Sequence, residues 1–188
     1  MSERLPPIVR TVSVSWAPAE AYRRFVEDFG RWWPRATHSV GGPEVAEIIL
    51  EARVGGRIFE RHKSGRRFQW GKVLACDPPR SIRFSWHTSR DEATAQEVTL
   101  TFHPAGTGTR LELVASGWER WGKGAKGARR GYDLGWGYVL DLWAGKRTLK
   151  MTLLAALTGV MGLLQKLRGG QAAVIARSGG ELREDARA

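Results

Sequence analysis

The chain has 188 residues, 42% of them hydrophobic and 26% charged, proportions that exclude a disordered or low-complexity protein and suit one domain with a sizeable core. Thirty Lys and Arg stand against nineteen Asp and Glu, for a formal net charge of +11. Such an excess favours anionic partners, but arginines spread over solvated strand faces account for it, and no nucleic acid is expected.

The first residues, Met1-Ser2-Glu3-Arg4-Leu5-Pro6-Pro7, carry no apolar run behind their charge. No secretory leader is expected, and the chain is read as cytoplasmic. Val12, Val14 and Trp16 then alternate with polar residues, as in a half-buried strand. Pro18 suits the first turn of a helix, and Tyr22, Phe25, Val26 and Phe29 follow at amphipathic spacing. Gly30 ends it, and Trp32-Trp33-Pro34 opens a second short helix or a turn.

A run of short strands separated by turn residues comes next. The spacing predicts strands at 45–50, 57–62, 68–75, 82–86, 98–102 and 111–115, with a bulge at Gly71. Their short connections predict an antiparallel meander. Cys76, the single cysteine, follows Val73-Leu74-Ala75 and reads as core rather than nucleophile. It has no internal disulfide partner, which fits a reducing compartment.

Residues 117–131 read as a flexible loop rich in Gly, Lys and Arg. Gly117–Gly124, G-W-E-R-W-G-K-G, falls short of a phosphate-binding loop because Gly124 stands where a hydroxyl would hold magnesium. A long helix is predicted from near Arg129, with Tyr132, Trp136, Val139, Leu140 and Trp143 as its main stripe. Leu134, Tyr138 and Leu142 extend its apolar character, so burial on more than one face is expected.

A curved antiparallel sheet needs its concave face covered, and this helix is the one element large enough. The expected fold is therefore α+β: a helix-grip, with a curved antiparallel sheet wrapped around a long C-terminal helix and a hydrophobic cavity between them. All nine tryptophans lie from Trp16 to Trp143. That is more than a filled core needs, and it predicts an aromatic-lined interior.

The residues Ala17-Pro18-Ala19-Glu20-Ala21-Tyr22, Trp32-Trp33-Pro34, Val54-Gly55-Gly56-Arg57-Ile58-Phe59-Glu60, Trp70-Gly71-Lys72-Val73-Leu74, Asp77-Pro78-Pro79-Arg80 and Ile82-Arg83-Phe84-Ser85-Trp86 occur in a telling order. With Ser116-Gly117-Trp118-Glu119 and Gly135-Trp136, they make the chain resemble the START-like (SRPBCC) superfamily over residues 8–145. Within it, the chain is similar to the bacterial homologues of the C-terminal domain of the activator of the heat-shock-protein-90 ATPase. The resemblance implies the helix-grip fold and a hydrophobic pocket. It implies no reaction, since that family holds ligand binders, cyclase-like enzymes and chaperone activators.

Trp33, Phe59, Trp70, Phe84, Trp86, Trp118, Trp136 and Leu140 are the candidate ligand-binding residues, with Trp118 as a gate beside the glycines. Glu60, Arg61 and Gln69 are polar candidates of uncertain strand parity. His38, His62, His87 and His103 show no metal-ligand spacing, so no metal, no cofactor and no catalytic residue is assigned. His62 and His103 are expected to be solvated at strand ends, and His87 to face outward.

Residues 1–145 are read as the domain, 146–168 as an apolar helical extension with basic flanks, and 169–188 as a frayed polar tail. The uncharged stretch between Lys150 and Lys166 is shorter than the ~18 residues of a membrane span. Its own domain, a second chain through residues 149–167, or a membrane surface could cover it. The expected function is binding of a hydrophobic small molecule or lipid-like ligand. The alternatives are a protein-interaction module resembling a chaperone-ATPase activator and, third, a cyclase- or hydrolase-like enzyme.

Overall fold

The computed structural model describes residues 4–146. The expected helical extension beyond Lys146 and the tail at 169–188 lie outside the described residues. Seven strands form one antiparallel sheet: β1 (Ile8–Val14), β2 (Val45–Leu50), β3 (Arg57–His62), β4 (Arg67–Asp77), β5 (Ser81–Trp86), β6 (Gln96–Ala105) and β7 (Gly108–Ser116). Their spatial order is β1-β7-β6-β5-β4-β3-β2, so six strands run as a meander and the first returns to pair with the last. Alternation sets the inward face. Ile82, Phe84 and Trp86 on β5, Val98, Leu100 and Phe102 on β6, and Leu111, Leu113 and Ala115 on β7 are all buried.

The pairing of β3 with β4 slips between Ile58↔Gly71 and Phe59↔Gln69, which leaves Trp70 as the extra residue of a bulge. Gly71 is required there, because a Cβ would stand 1.8 Å from the Ser85 carbonyl oxygen. The Trp70 carbonyl, freed from the β3 pairing, accepts from the amides of His87 (2.7 Å) and Thr88 (3.1 Å). The bulge thus couples the centre of the sheet to the turn that follows β5.

Three short helices, α1 (Pro18–Tyr22), α2 (Phe29–Trp32) and α3 (Arg35–His38), connect β1 to β2. A wide helical turn over Arg23–Glu27 continues α1. The long helix, α4 (Ala125–Trp143), follows a 3₁₀ segment over Trp118–Gly124. It starts earlier than the sequence predicts, because the glycines of 124–131 are helical rather than loop. Trp136, Val139, Leu140 and Trp143 are buried, while Leu134 is 55% exposed. The expectation of burial on more than one face therefore fails for Leu134: the sheet grips α4 from one side and solvent meets the other. Trp143 closes the far end of the core against Phe25 (5.2 Å between ring centroids) and Trp16 (5.4 Å).

Candidate functional site

The helix-grip leaves a cavity of about 740 Å³ between α4, the β4–β5 end of the sheet and the segment after α2. Trp33, Trp70, Trp86 and Trp136 form its aromatic wall. Trp33 lies 5.4 Å from Trp70 and 5.5 Å from Trp86, and Trp86 lies 5.2 Å from Trp136, centroid to centroid. At these spacings tilted rings attract one another beyond the gain of area burial. The Trp33 indole N–H donates to the His38 carbonyl at 2.8 Å, which fixes the ring across the end of α3.

Helix α4, which carries Trp136, closes the other side, and one stripe of it is built of very small residues. Gly127, Gly131 and Gly135 stand four apart and therefore share a face. A Cβ at Gly127 or Gly131 would meet nothing within 4 Å. Glycine inside a helix costs about 1 kcal/mol relative to alanine, and no packing neighbour at 127 or 131 demands it. What these glycines supply is volume.

The remaining four candidates lie elsewhere. Phe59 is on the opposite face of β3, under the guanidinium groups of Arg57 (5.5 Å) and Arg67 (5.9 Å). Phe84 and Leu140 are in the core away from the cavity wall. Trp118 is fully buried behind Tyr132, with its N–H donating to the Ala115 carbonyl at 2.8 Å. The segment that holds it is no loose flap. Arg120 donates to the Ala95 carbonyl at 2.6 Å, and Arg90 sits 4.0 Å over the Trp121 ring. A gate at Trp118 has no room to swing.

His38, Thr88 and Tyr132 line the cavity and were not picked out from sequence. The four-residue glycine spacing was the signal available for the α4 wall. His38 had none, since its place depends on how α3 turns back across the sheet.

The histidines depart from expectation at three positions, one of them His103, whose Nε2 is buried without a partner among the described residues rather than solvated. His87 is 3% exposed rather than outward-facing. The chain enters left-handed conformations at Thr88 (φ 47°) and Ser89 (φ 62°), and the turn that follows brings Glu92 to 3.9 Å from the His87 ring, which it helps to cover. His62, expected to be solvated, is half-buried against Phe68 and places Nε2 2.7 Å from a Glu60 carboxylate oxygen.

Glu60 is itself fully buried and faces the α3–β2 connection. It accepts from the backbone amides of Val40 (2.9 Å) and Gly41 (2.7 Å). Gly41 leaves the space that the His62 ring fills, since a Cβ there would stand 2.1 Å from Nε2. Three donors satisfy a carboxylate that would otherwise be costly to bury. They pin the segment that carries Ser39 and Val40 into the cavity wall. Glu60→Gln keeps the shape and loses the charge, so it is expected to cost about 1–3 kcal/mol in urea unfolding. Amide exchange at Val40 and Gly41 should quicken before the rest of the sheet. Unchanged exchange at both amides would remove the pin.

Burial holds the His38 imidazole down at about 4. Burial also lowers His87, against the opposing pull of Glu92. A histidine depressed in the folded state takes up its proton more readily once unfolded. Its stabilisation is complete above the unfolded value of about 6.5 and is lost as pH falls from there through 4. The melting temperature is expected to fall between pH 7 and pH 4, and to fall less in His38→Gln. Parallel curves for the two proteins would contradict the assignment.

Among the described residues, no group of three His, Cys, Asp or Glu could hold a metal ion. No helix among them is long and apolar enough to cross a membrane.

The sequence model of the family described as Activator of Hsp90 ATPase homolog 1-like protein matches residues 18–142. No curated protein matches the chain. Several solved structures share the fold. A protein of Mesorhizobium loti is 21% identical, with 74% of this chain and 95% of that one covered and a TM-score of 0.53. CalU16 from Micromonospora echinospora is 20% identical, with 93% and 94% covered and a TM-score of 0.53. The Aha1 dimer from Colwellia psychrerythraea is 16% identical, with 77% and 100% covered and a TM-score of 0.51.

Proposed function

The chain belongs to the family of activator of Hsp90 ATPase homolog 1-like proteins, and from that premise we propose that it binds a hydrophobic small molecule, lipid-like or aromatic, in its tryptophan-walled cavity. The observation that carries this is the cavity itself. Its volume of about 740 Å³ lies within the range of small-molecule sites. Four indole rings offer broad apolar contact at little conformational cost, and the glycine stripe of α4 leaves volume beside them. Trp33, Trp70, Trp86 and Trp136 are the proposed contacts. The neutral apolar dye Nile red is expected to enter, gain fluorescence and quench the tryptophans. No change on titration in either signal would defeat the reading.

A second reading is docking of a protein partner, favoured by the family description and by the dimeric Colwellia relative. In that case the apolar stretch at 149–167 is the proposed contact, with a second copy or a chaperone-like protein. Mass measurement of the native protein separates the two, since the first leaves a small molecule on the monomer and the second adds a protein mass, doubled where the partner is a second copy. The proposed compartment is the cytoplasm, where a lone cysteine such as Cys76 stays reduced. A cyclase- or hydrolase-like activity ranks third: among the described residues no carboxylate lines the cavity wall, and His38 is the one histidine there.

A further inference from the structure

The wall of the cavity is apolar except for a few side chains, and most of these already have partners. The Ser39 hydroxyl donates to the Arg35 carbonyl. Thr88 and Tyr132 share a hydrogen bond through their hydroxyls at 3.2 Å. The Trp33 N–H is taken by the His38 carbonyl. Among the described residues, the indole N–H groups of Trp70 and Trp136 are donors buried without a partner. Of the described side chains of the wall that can accept, the ring of His38 is the one with an unpartnered atom.

Three contacts hold that ring. It stacks on Tyr138 with centroids 4.9 Å apart and planes 11° from parallel. Its Nδ1 lies 2.8 Å from the Thr37 hydroxyl oxygen. Its backbone carbonyl is tied to Trp33. Nε2 lies 3.9 Å from where a Cβ on Gly135 would stand, an ordinary contact distance, so the ring rests against α4 at the edge of the ligand volume that His38 and Gly135 both line. Among the described residues, Nε2 has no hydrogen-bond partner.

The tautomer turns on the Thr37 hydroxyl, whose one proton has two acceptors in reach, the Pro34 carbonyl oxygen at 3.4 Å and Nδ1 at 2.8 Å. With the proton on the Pro34 carbonyl, the hydroxyl oxygen accepts Nδ1–H and the lone pair of a neutral ring is left on Nε2, which is the arrangement the proposal takes. Burial keeps the ring neutral at pH 7.

We propose that His38 Nε2 is the hydrogen-bond acceptor of the cavity and selects hydrophobic ligands that carry a phenolic or enolic hydroxyl. This rests on the binding reading above and adds a ligand class to it. An ether or hydrocarbon of the same shape fills the same volume but leaves Nε2 unpaired, and an unpaired buried acceptor weakens binding.

Isothermal calorimetry with 2-naphthol and 2-methoxynaphthalene tests it. Wild-type protein is expected to bind the naphthol about five- to tenfold tighter, the worth of one neutral hydrogen bond. His38→Phe should bring the ratio of the two affinities close to one. Thr37→Val keeps the ring but frees it to turn, and should lose most of the preference. His38→Gln, whose amide oxygen can accept, should restore part of it. Equal binding by wild type, or a preference that survives His38→Phe, overturns the assignment while leaving the cavity as a site. Failure of both probes to bind overturns the cavity reading, and the assignment with it.

Discussion

Trp136→Ala is expected to cost about 3–5 kcal/mol of folding stability, as for other large aromatics removed from a core. Trp136 is 4% exposed and stands midway along α4. Its ring reaches both Trp86 on β5 (5.2 Å) and Trp33 beside α2 (6.1 Å). It therefore joins the three parts that enclose the cavity: helix, sheet and connecting segment. Truncation removes a large apolar area and enlarges an existing hole rather than opening one that can collapse. Urea unfolding followed by circular dichroism gives the number without relying on the fluorescence that the substitution alters. Leu134→Ala, at a position 55% exposed on the same helix, should change stability by less than about 0.5 kcal/mol. A near-zero loss at Trp136 would mean that α4 does not close the sheet.

Gly131→Phe is expected to abolish Nile red binding, with affinity reduced by roughly a hundredfold or more, because the ring takes the volume the ligand needs. Gly131 lies on the cavity face of α4, and nothing stands within 4 Å of a Cβ placed there. The fold should tolerate the change. Gly131→Ala is the control, since it adds one methyl, keeps most of the volume, and should stabilise the helix by up to about 1 kcal/mol. Stability and binding thus move in opposite directions along one series, which a merely structural glycine would not produce. Undiminished dye affinity in Gly131→Phe would place the bound dye outside the cavity.

The strands were legible in the sequence, because alternation is a property of neighbouring residues. Ile82, Phe84 and Trp86 could be set on one face without knowing what lay opposite. Trp136, Val139, Leu140 and Trp143 likewise declared a buried stripe at helical spacing. Three of the failures sit where a local pattern stops. His87 lies one residue past the end of β5, and the segment that turns back at Thr88 and Ser89 covers it. Phe59 stands between inward-facing Ile58 and Glu60, beside the bulge that puts Trp70 out of step with β3. Trp118 looked mobile beside its glycines, yet its indole and the side chain of Arg120 bind carbonyls of β7 and of the segment before β6.

By itself, the sequence determined an antiparallel meander, a long C-terminal helix and an interior rich in tryptophan. Period-two and helical spacing record which side of each element avoids water, and that preference acts residue by residue. Only the tertiary structure decided which aromatic rings face open volume and which are packed solid. That outcome depends on contacts between distant segments. The bulge at Trp70 turns β4 against the residues after β5. Buried Glu60 on β3 captures the amides of Val40 and Gly41. The glycine face of α4 stops short of filling the space that remains. Each depends on how near distant segments come to one another, and sequence spacing does not encode the distance between segments that meet only in the fold.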